Sequence, residues 1–132
     1  MEEVATEPRR HEPPLFRDRS RAVQVALGGL APAAIGALAG VLLGVSSVAY
    51  AVVALIAAVG AFLSGLEHSN AWGGADRGFV SGVIYGVALL VAHALAGTQA
   101  TVSLGSFPPA LIVVTAIVGM LLAAAGATRP PA

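Results

Sequence analysis

The chain has 132 residues, of which 57% are hydrophobic and 11% are charged, and its mean hydropathy is +0.84. About a quarter of the residues in a soluble domain are charged, so this composition excludes an ordinary soluble domain and indicates an integral membrane protein. The absence of cysteine excludes disulfides, thiolate catalysis and cysteine-bound metal clusters. The formal net charge is zero and all seven basic residues are arginine, a usage typical of a GC-rich bacterial genome.

The amino-terminal segment is rich in charge and proline. Residues 1–21 hold ten of the fourteen charged residues, together with Pro8, Pro13 and Pro14. A stretch with so little apolar surface cannot offset the conformational entropy that it would lose on ordering. We therefore predict a disordered cytoplasmic tail over residues 1–21.

Four long apolar runs without formal charge follow the tail. About 20 residues cross the ~30 Å hydrocarbon core of a bilayer as a helix, so each run is long enough for one span. Pro32 removes a backbone hydrogen bond within the first run and predicts a kink there. A cleaved signal peptide is the alternative for that run, but its length favours a retained helix. We predict an all-α, four-helix transmembrane domain over residues 22–127 and a short tail at 128–132, with approximate spans 22–44, 48–66, 79–97 and 109–127.

The formal charges fall on one side of this predicted bundle. With four spans, the tail, the loop between the second and third spans, and the carboxyl end share a side that holds every Arg, Asp and Glu of the sequence. Arginine near the ends of spans favours the cytoplasmic side. We therefore predict a multi-pass protein of the cell membrane with both termini in the cytoplasm. Arg17, Arg19 and Arg21 are expected to contact anionic lipid head groups.

Small residues recur at four-residue steps in the predicted spans. Membrane helices associate through close packing and hydrogen bonds, because lipid tails are as apolar as leucine. The repeated GxxxG spacing predicts glycine- and alanine-rich helix interfaces, either within one bundle or with one face turned outward toward an oligomer or a larger complex. The predicted packing residues are Gly28, Gly36, Gly40, Gly44, Gly78, Gly82, Gly86 and Gly119.

His93 is the one ionisable side chain within the predicted spans. It lies four residues before Gly97, about 6 Å inside the uncharged boundary, and two turns after Gly86 on the glycine face. An ionisable group inside the bilayer is a candidate for function. Tyr50 is predicted at a similar depth, where it could hydrogen-bond to His93. The simplest interpretation is a neutral histidine with such a partner; proton relay or ligand contact is the alternative.

A second polar set lies near the charged ends of the spans. Glu67 and Arg77 flank the turn between the second and third spans, which predicts a salt bridge that closes this turn. Trp72 is expected at the level of the lipid head groups. The carboxylates and imidazole of this turn could hold a cation, but such residues in a glycine-rich turn more often face solvent, so no metal is predicted. The candidate polar residues are Gln24, Ser64, Glu67, His68, Arg77 and Ser81.

These features predict neither a catalytic residue nor a cofactor. Ser81 and His93 lie about 18 Å apart by helix rise, too far for a nucleophile–base pair, and the sequence lacks a basic surface for nucleic acid. The predicted partners are the bilayer and either a second copy or a larger membrane complex. We thus expect a structural or accessory subunit, or a self-associating membrane component. The alternative is a minimal channel or small-solute transporter with a polar path formed by Gln24, Ser64, Ser81, Tyr85 and His93.

Overall fold

The computed structural model describes residues 15–128, and this part of the chain is helical without β-strands. Four helices are each long and apolar enough to cross a membrane, as the hydropathy of the sequence predicted. A 3-10 turn at Phe16–Asp18 precedes the first of them. The four helices are α1 (Arg21–Leu43), α2 (Ser47–Gly65), α3 (Ala71–Ala96) and α4 (Ala110–Ala127).

Local side chains define where the helices begin and end. The Ser20, Ser46 and Asn70 side chains accept hydrogen bonds from backbone N–H groups in the first turns of α1, α2 and α3, respectively. Each cap satisfies one of the donors that a helix leaves unpaired at its start. Gly97 ends α3 with φ of 67°, a left-handed conformation that glycine adopts without steric cost.

Helix α3 begins at Ala71, eight residues before the predicted span. Hydropathy placed the boundary at Phe79 because Asp76 and Arg77 interrupt the apolar pattern. The Asn70 cap starts the helix earlier, and its Oδ1 accepts a hydrogen bond of 2.8 Å from the Gly73 N–H. The first two turns of α3 therefore carry the charged residues that the sequence had assigned to a loop.

Helix α1 contains a wider turn next to its proline. Residues Ala26–Leu30 form a π-helical turn, in which the Ala31 N–H reaches the Ala26 carbonyl. Pro32 follows directly, without an N–H to donate and with a ring that crowds the preceding turn. A widened turn at this point accommodates both effects.

The helices are adjacent in the order α1, α3, α4, α2. Helix α3 makes its most extensive contacts with α4 and then with α1, whereas α2 contacts α4 more than it contacts α1. The α1–α2 seam is therefore the loosest side of the bundle. We call the end that holds the α2–α3 turn the charged end, and the opposite end, with the α1–α2 turn and the α3–α4 loop, the uncharged end.

Helix α3 meets α4 where α3 has no side chain. A Cβ added at Gly78 would overlap the Gly119 carbonyl oxygen, and one added at Gly82 would overlap that of Thr115. A Cβ at Gly86 would meet the Thr115 hydroxyl. The same hydroxyl donates a hydrogen bond of 2.8 Å to the Gly82 carbonyl oxygen. The close backbone approach therefore allows a direct polar link between the two helices.

Helix α1 approaches the other side of α3 at two glycines. A Cβ at Gly36 or Gly40 would overlap the carbonyl oxygen of Tyr85 or Leu89, respectively. Near the uncharged end, Gly44 lies against the Thr98 side chain, and Thr101 donates backbone and hydroxyl hydrogen bonds of 2.8 and 2.7 Å to the Leu43 carbonyl oxygen. The α3–α4 loop thus folds back onto the end of α1.

Gly28 and Gly60 do not lie against the backbone of another long helix. A Cβ at Gly28 would have its nearest contact with the Phe16 ring, at 3.4 Å, and not with another long helix. Gly60 of α2 has nothing within 4 Å of an added Cβ, and Gly65 is the single buried residue of that helix. Helix α2 is therefore held mainly near its charged end, where Gly65 lies against Ala123 of α4.

The α3–α4 contact gives a direct stability prediction. In Gly82→Ala, the new methyl group meets backbone atoms of Thr115 and Ala116, so we expect the free energy of unfolding in mixed micelles to fall by about 2 kcal/mol. Gly60→Ala is the matched control, because its methyl group has open space and alanine favours the helix. Equal destabilisation by both substitutions would contradict the close α3–α4 contact.

Candidate functional site

The most polar site of the described chain is centred on Glu67, in the turn between α2 and α3. Its Oε2 lies 2.6 Å from Nη1 of Arg77, and its Oε1 lies 2.8 Å from Nη2 of Arg19. The side chains of Arg77, Glu67 and Arg19 are 10%, 16% and 26% exposed, so water screens these pairs less than surface pairs. The predicted Glu67–Arg77 salt bridge is confirmed, and Arg19 adds a second one. We call these three residues the ion cluster.

Phe16 attaches the amino-terminal segment to the ion cluster. Its ring lies 4.1 Å from the Arg77 guanidinium carbon and is stacked on the His68 ring, with centroids 5.7 Å apart. The Phe16 N–H also donates a hydrogen bond of 3.0 Å to the Glu67 carbonyl oxygen. A guanidinium over an aromatic face is attractive, the more so when partly desolvated. Residues 15–20 of the predicted tail thus make specific contacts, while residues 1–14 lie outside the described part.

Arg19 makes a contact that its sequence did not predict. It was expected to contact lipid head groups, and in the structure its guanidinium also binds Glu67 in the ion cluster. Arg17 remains at the surface, 3.9 Å from Asp18 with both side chains well exposed. Arg21 is also exposed.

Gln24, Ser64 and His68 support the cluster through backbone hydrogen bonds. The Gln24 amide donates to the carbonyl oxygens of Arg17 and Arg19 at 3.2 and 3.0 Å. The Ser64 carbonyl oxygen accepts from Arg77 at 3.3 Å and lies 3.2 Å from His68 Nδ1. These hydrogen bonds hold the amino-terminal segment and the end of α2 next to the ion cluster.

The ion cluster carries one more positive than negative charge, because two guanidinium groups share one carboxylate. The buried Nε atoms of Arg19 and Arg77 have no hydrogen-bond partner within residues 15–128. Asp76 is exposed, and the described residues contain no group of three His, Asp or Glu side chains placed to hold a metal ion. The surplus positive charge of the ion cluster therefore favours the binding of an anion.

A cavity of about 460 Å³ lies between the four helices and ends at the ion cluster. Ser64, Glu67 and Arg77 line its charged end, and Ser81 lies farther along α3. Tyr85 and Tyr50 line its deep part. Both tyrosines pack against the buried cluster of Ala39, Leu43 and Leu89, which occupies the space between the cavity and the uncharged end.

His93 does not line the cavity. Its Nδ1 is buried without a hydrogen-bond partner among residues 15–128, and no hydrogen bond joins His93 to Tyr50 in this part of the chain, so the expected contact is not made. Tyr50 lines the cavity beside the core that also contacts Tyr85, whereas His93 lies eight residues beyond Tyr85, about 12 Å along α3. His93 and Tyr50 were expected at a similar depth in the membrane, but the arrangement of the helices does not bring them into contact.

Phe16 is the site residue that the sequence analysis did not select, and the ion pair of Arg19 with Glu67 is the site contact that it did not predict. Phe16 lies within the segment predicted to be disordered, and its place directly before Arg17, Arg19 and Arg21 was the one available signal. Trp72, in contrast, is 81% exposed at the start of α3, consistent with the position expected for an indole near the head groups.

Comparison of the chain with protein-family models, curated proteins and solved structures found no match. The class of protein follows from the fold alone. Four apolar helices suggest a multi-pass membrane protein, with one charged site at the end of its bundle.

Removal of the Glu67 charge tests the ion cluster. Glu67→Gln leaves two partly buried guanidinium groups without a counter-charge, so we expect a loss of about 2 to 3 kcal/mol in the free energy of unfolding. Asp18→Asn removes a carboxylate from an exposed pair and should change it by less than about 0.5 kcal/mol. Similar values for the two variants would show that the cluster does not stabilise the fold.

Replacement of His93 tests whether its imidazole has a hidden partner. A buried polar atom without a hydrogen bond is destabilising, so His93→Leu should raise the free energy of unfolding by about 1 kcal/mol. His68→Leu is the matched control, since it loses the contact with Phe16 and the hydrogen bond to Ser64 and should lower stability. A destabilised His93→Leu would indicate that His93 is hydrogen-bonded in the membrane.

Proposed function

We propose that this chain is a non-enzymatic membrane component that associates with itself or joins a larger membrane complex as an accessory subunit. The sparse burial of α2 carries the proposal. Apart from Gly65, no residue of this helix is buried, and its contact with α1 is limited. Membrane helices are held together by close packing and hydrogen bonds, because water exclusion does not act between them in lipid. A second protein surface against α2 would supply the packing that this helix lacks within the chain.

The glycine spacing supports the same proposal. We infer that the four-residue steps of glycine in α1 and α3 are the packing device that sets the distance between helices in the bilayer. In α3 these glycines face α4, and in α1 they face α3. Since those glycine faces are occupied within the chain, the proposal places association on α2, which is the least buried of the four helices.

The proposed orientation has both termini in the cytoplasm of a bacterial cell. It rests on the arginines, all of which belong to the tails or the charged end. The chain has no cysteine, so single substitutions Asp18→Cys and Ser103→Cys provide clean topology probes. A membrane-impermeant thiol reagent added to intact cells should label only Ser103→Cys. Labelling of Asp18→Cys from outside would reverse the orientation.

Transport is less well supported as a function. The cavity does not extend beyond Tyr50 and Tyr85, where the buried core begins. His93 lies outside it and Gln24 is bound to the backbone of the amino-terminal segment. The polar residues proposed for a path are thus divided between separate places in the bundle.

Native mass measurement after extraction in a mild detergent tests association. We expect a defined oligomer, or a complex with a second protein. Val52→Trp enlarges an exposed side chain of α2 and should disrupt it, whereas the control Ile117→Trp, at an exposed position of α4, should not. A monomer for the unsubstituted chain, in detergent and in lipid nanodiscs, would contradict the proposal.

A further inference from the structure

The walls of the cavity are almost entirely apolar. Helices α3 and α4 form the back of the cavity, and α1 and α2 form the sides. A volume of about 460 Å³ lies within the range of small-molecule sites in proteins. The side walls bear chiefly aliphatic and small residues, including Leu27, Ile35, Ala54, Ala57, Ala58 and Ala61.

The cavity is elongated along the helices. It extends along α2 from Ser64 to Tyr50, a separation of fourteen positions that corresponds to about 21 Å of helix. The cavity is therefore long relative to its volume. It fits a chain-like molecule better than a compact one.

The two ends of the cavity differ in polarity. Glu67 and Arg77 line the charged end, where the ion cluster has surplus positive charge. The deep end has uncharged polar side chains, Tyr50, Tyr85 and Thr115. The Thr115 hydroxyl is bonded to the Gly82 carbonyl oxygen, whereas the Tyr85 hydroxyl has no hydrogen-bond partner among the described residues. A ligand matched to this gradient has an anionic head at Arg77 and an uncharged body toward Tyr85.

The loose α1–α2 seam forms one side of the cavity. Helix α1 contacts α3 far more extensively than it contacts α2, and small α2 residues such as Ala57 and Ala61 face the cavity from this seam. The widened turn and Pro32 of α1 lie on the opposite wall.

We propose that this cavity binds an amphiphilic anion, with its acyl chain between α1 and α2 and its negatively charged head at the ion cluster. A neutral hydrocarbon would leave the surplus guanidinium charge without a counter-ion, at a cost in a partly desolvated site. A free phosphate would leave the apolar walls unfilled. An acyl chain with an anionic head satisfies both ends, whether the head is the carboxylate of a fatty acid or the phosphate of a lipid.

Equilibrium binding to the full-length chain in a neutral maltoside detergent tests the proposal. Oleate and oleyl alcohol share one acyl chain and differ in charge, so oleate should bind at least about tenfold more tightly. Dioleoyl phosphatidylglycerol and dioleoyl phosphatidylcholine make the same comparison for a lipid source. A charge preference in the first pair identifies a fatty-acid-like ligand, and one confined to the second identifies a phospholipid.

Three substitutions locate the binding. Ala57→Leu fills the cavity and should weaken oleate binding at least about tenfold, while the control Ala34→Leu, on an exposed position of α1 outside the cavity, should leave it unchanged. Arg77→Gln should abolish the preference for the charged ligand, and Arg77→Lys should keep part of it. Equal binding of charged and neutral ligands in both pairs, or full binding by Ala57→Leu, would overturn the proposal.

This binding requires neither self-association nor movement of a ligand across the membrane. A monomeric protein that binds oleate in the cavity would contradict the proposed association alone. An oligomer that binds charged and neutral ligands equally would contradict the cavity site alone.

Discussion

Helix α3 can contact two neighbours at once because glycines replace side chains where the backbones meet. Gly78 and Gly82 lie against the α4 backbone, and Gly36 and Gly40 of α1 lie against the backbone of α3. At this distance the Thr115 hydroxyl reaches the Gly82 carbonyl, a favourable bond in a medium that offers no water. Helices α1, α3 and α4 therefore form the closely packed part of the bundle, and α2 is held against it mainly near the charged end. The cavity occupies the space that α2 leaves open.

The ion cluster determines how the charged end is organised. Glu67 lies in the α2–α3 turn and binds an arginine from α3 and another from the amino-terminal segment. Phe16 then covers the Arg77 guanidinium. One carboxylate therefore joins α2, α3 and the residues before α1, and it leaves the cluster with a surplus positive charge. The same feature that stabilises this end also suits it to an anion at the mouth of an apolar cavity.

Sequence patterns predicted the features that depend on composition along one helix. Apolar run length gave four long helices, and the short separation of Glu67 and Arg77 across a turn gave their salt bridge. Contacts between helices could not be predicted from the composition of a single helix. Hydropathy could not detect that Asn70 starts α3 before its apolar part, and depth alone paired His93 with Tyr50, although they lie in different surroundings. The cavity is a property of helix spacing, which no single run of residues encodes.

Helices α3 and α4 meet backbone to backbone, and the packing of the bundle depends on this contact. Solid-state NMR of the protein in lipid, with ¹³C-labelled glycine and alanine, measures this without altering a residue. Gly82 lies close to the Ala116 backbone in the structure, so a cross-peak between their Cα atoms should appear at short mixing times. Helices separated by an ordinary layer of side chains would give no such cross-peak, and its absence would contradict the arrangement on which the cavity depends.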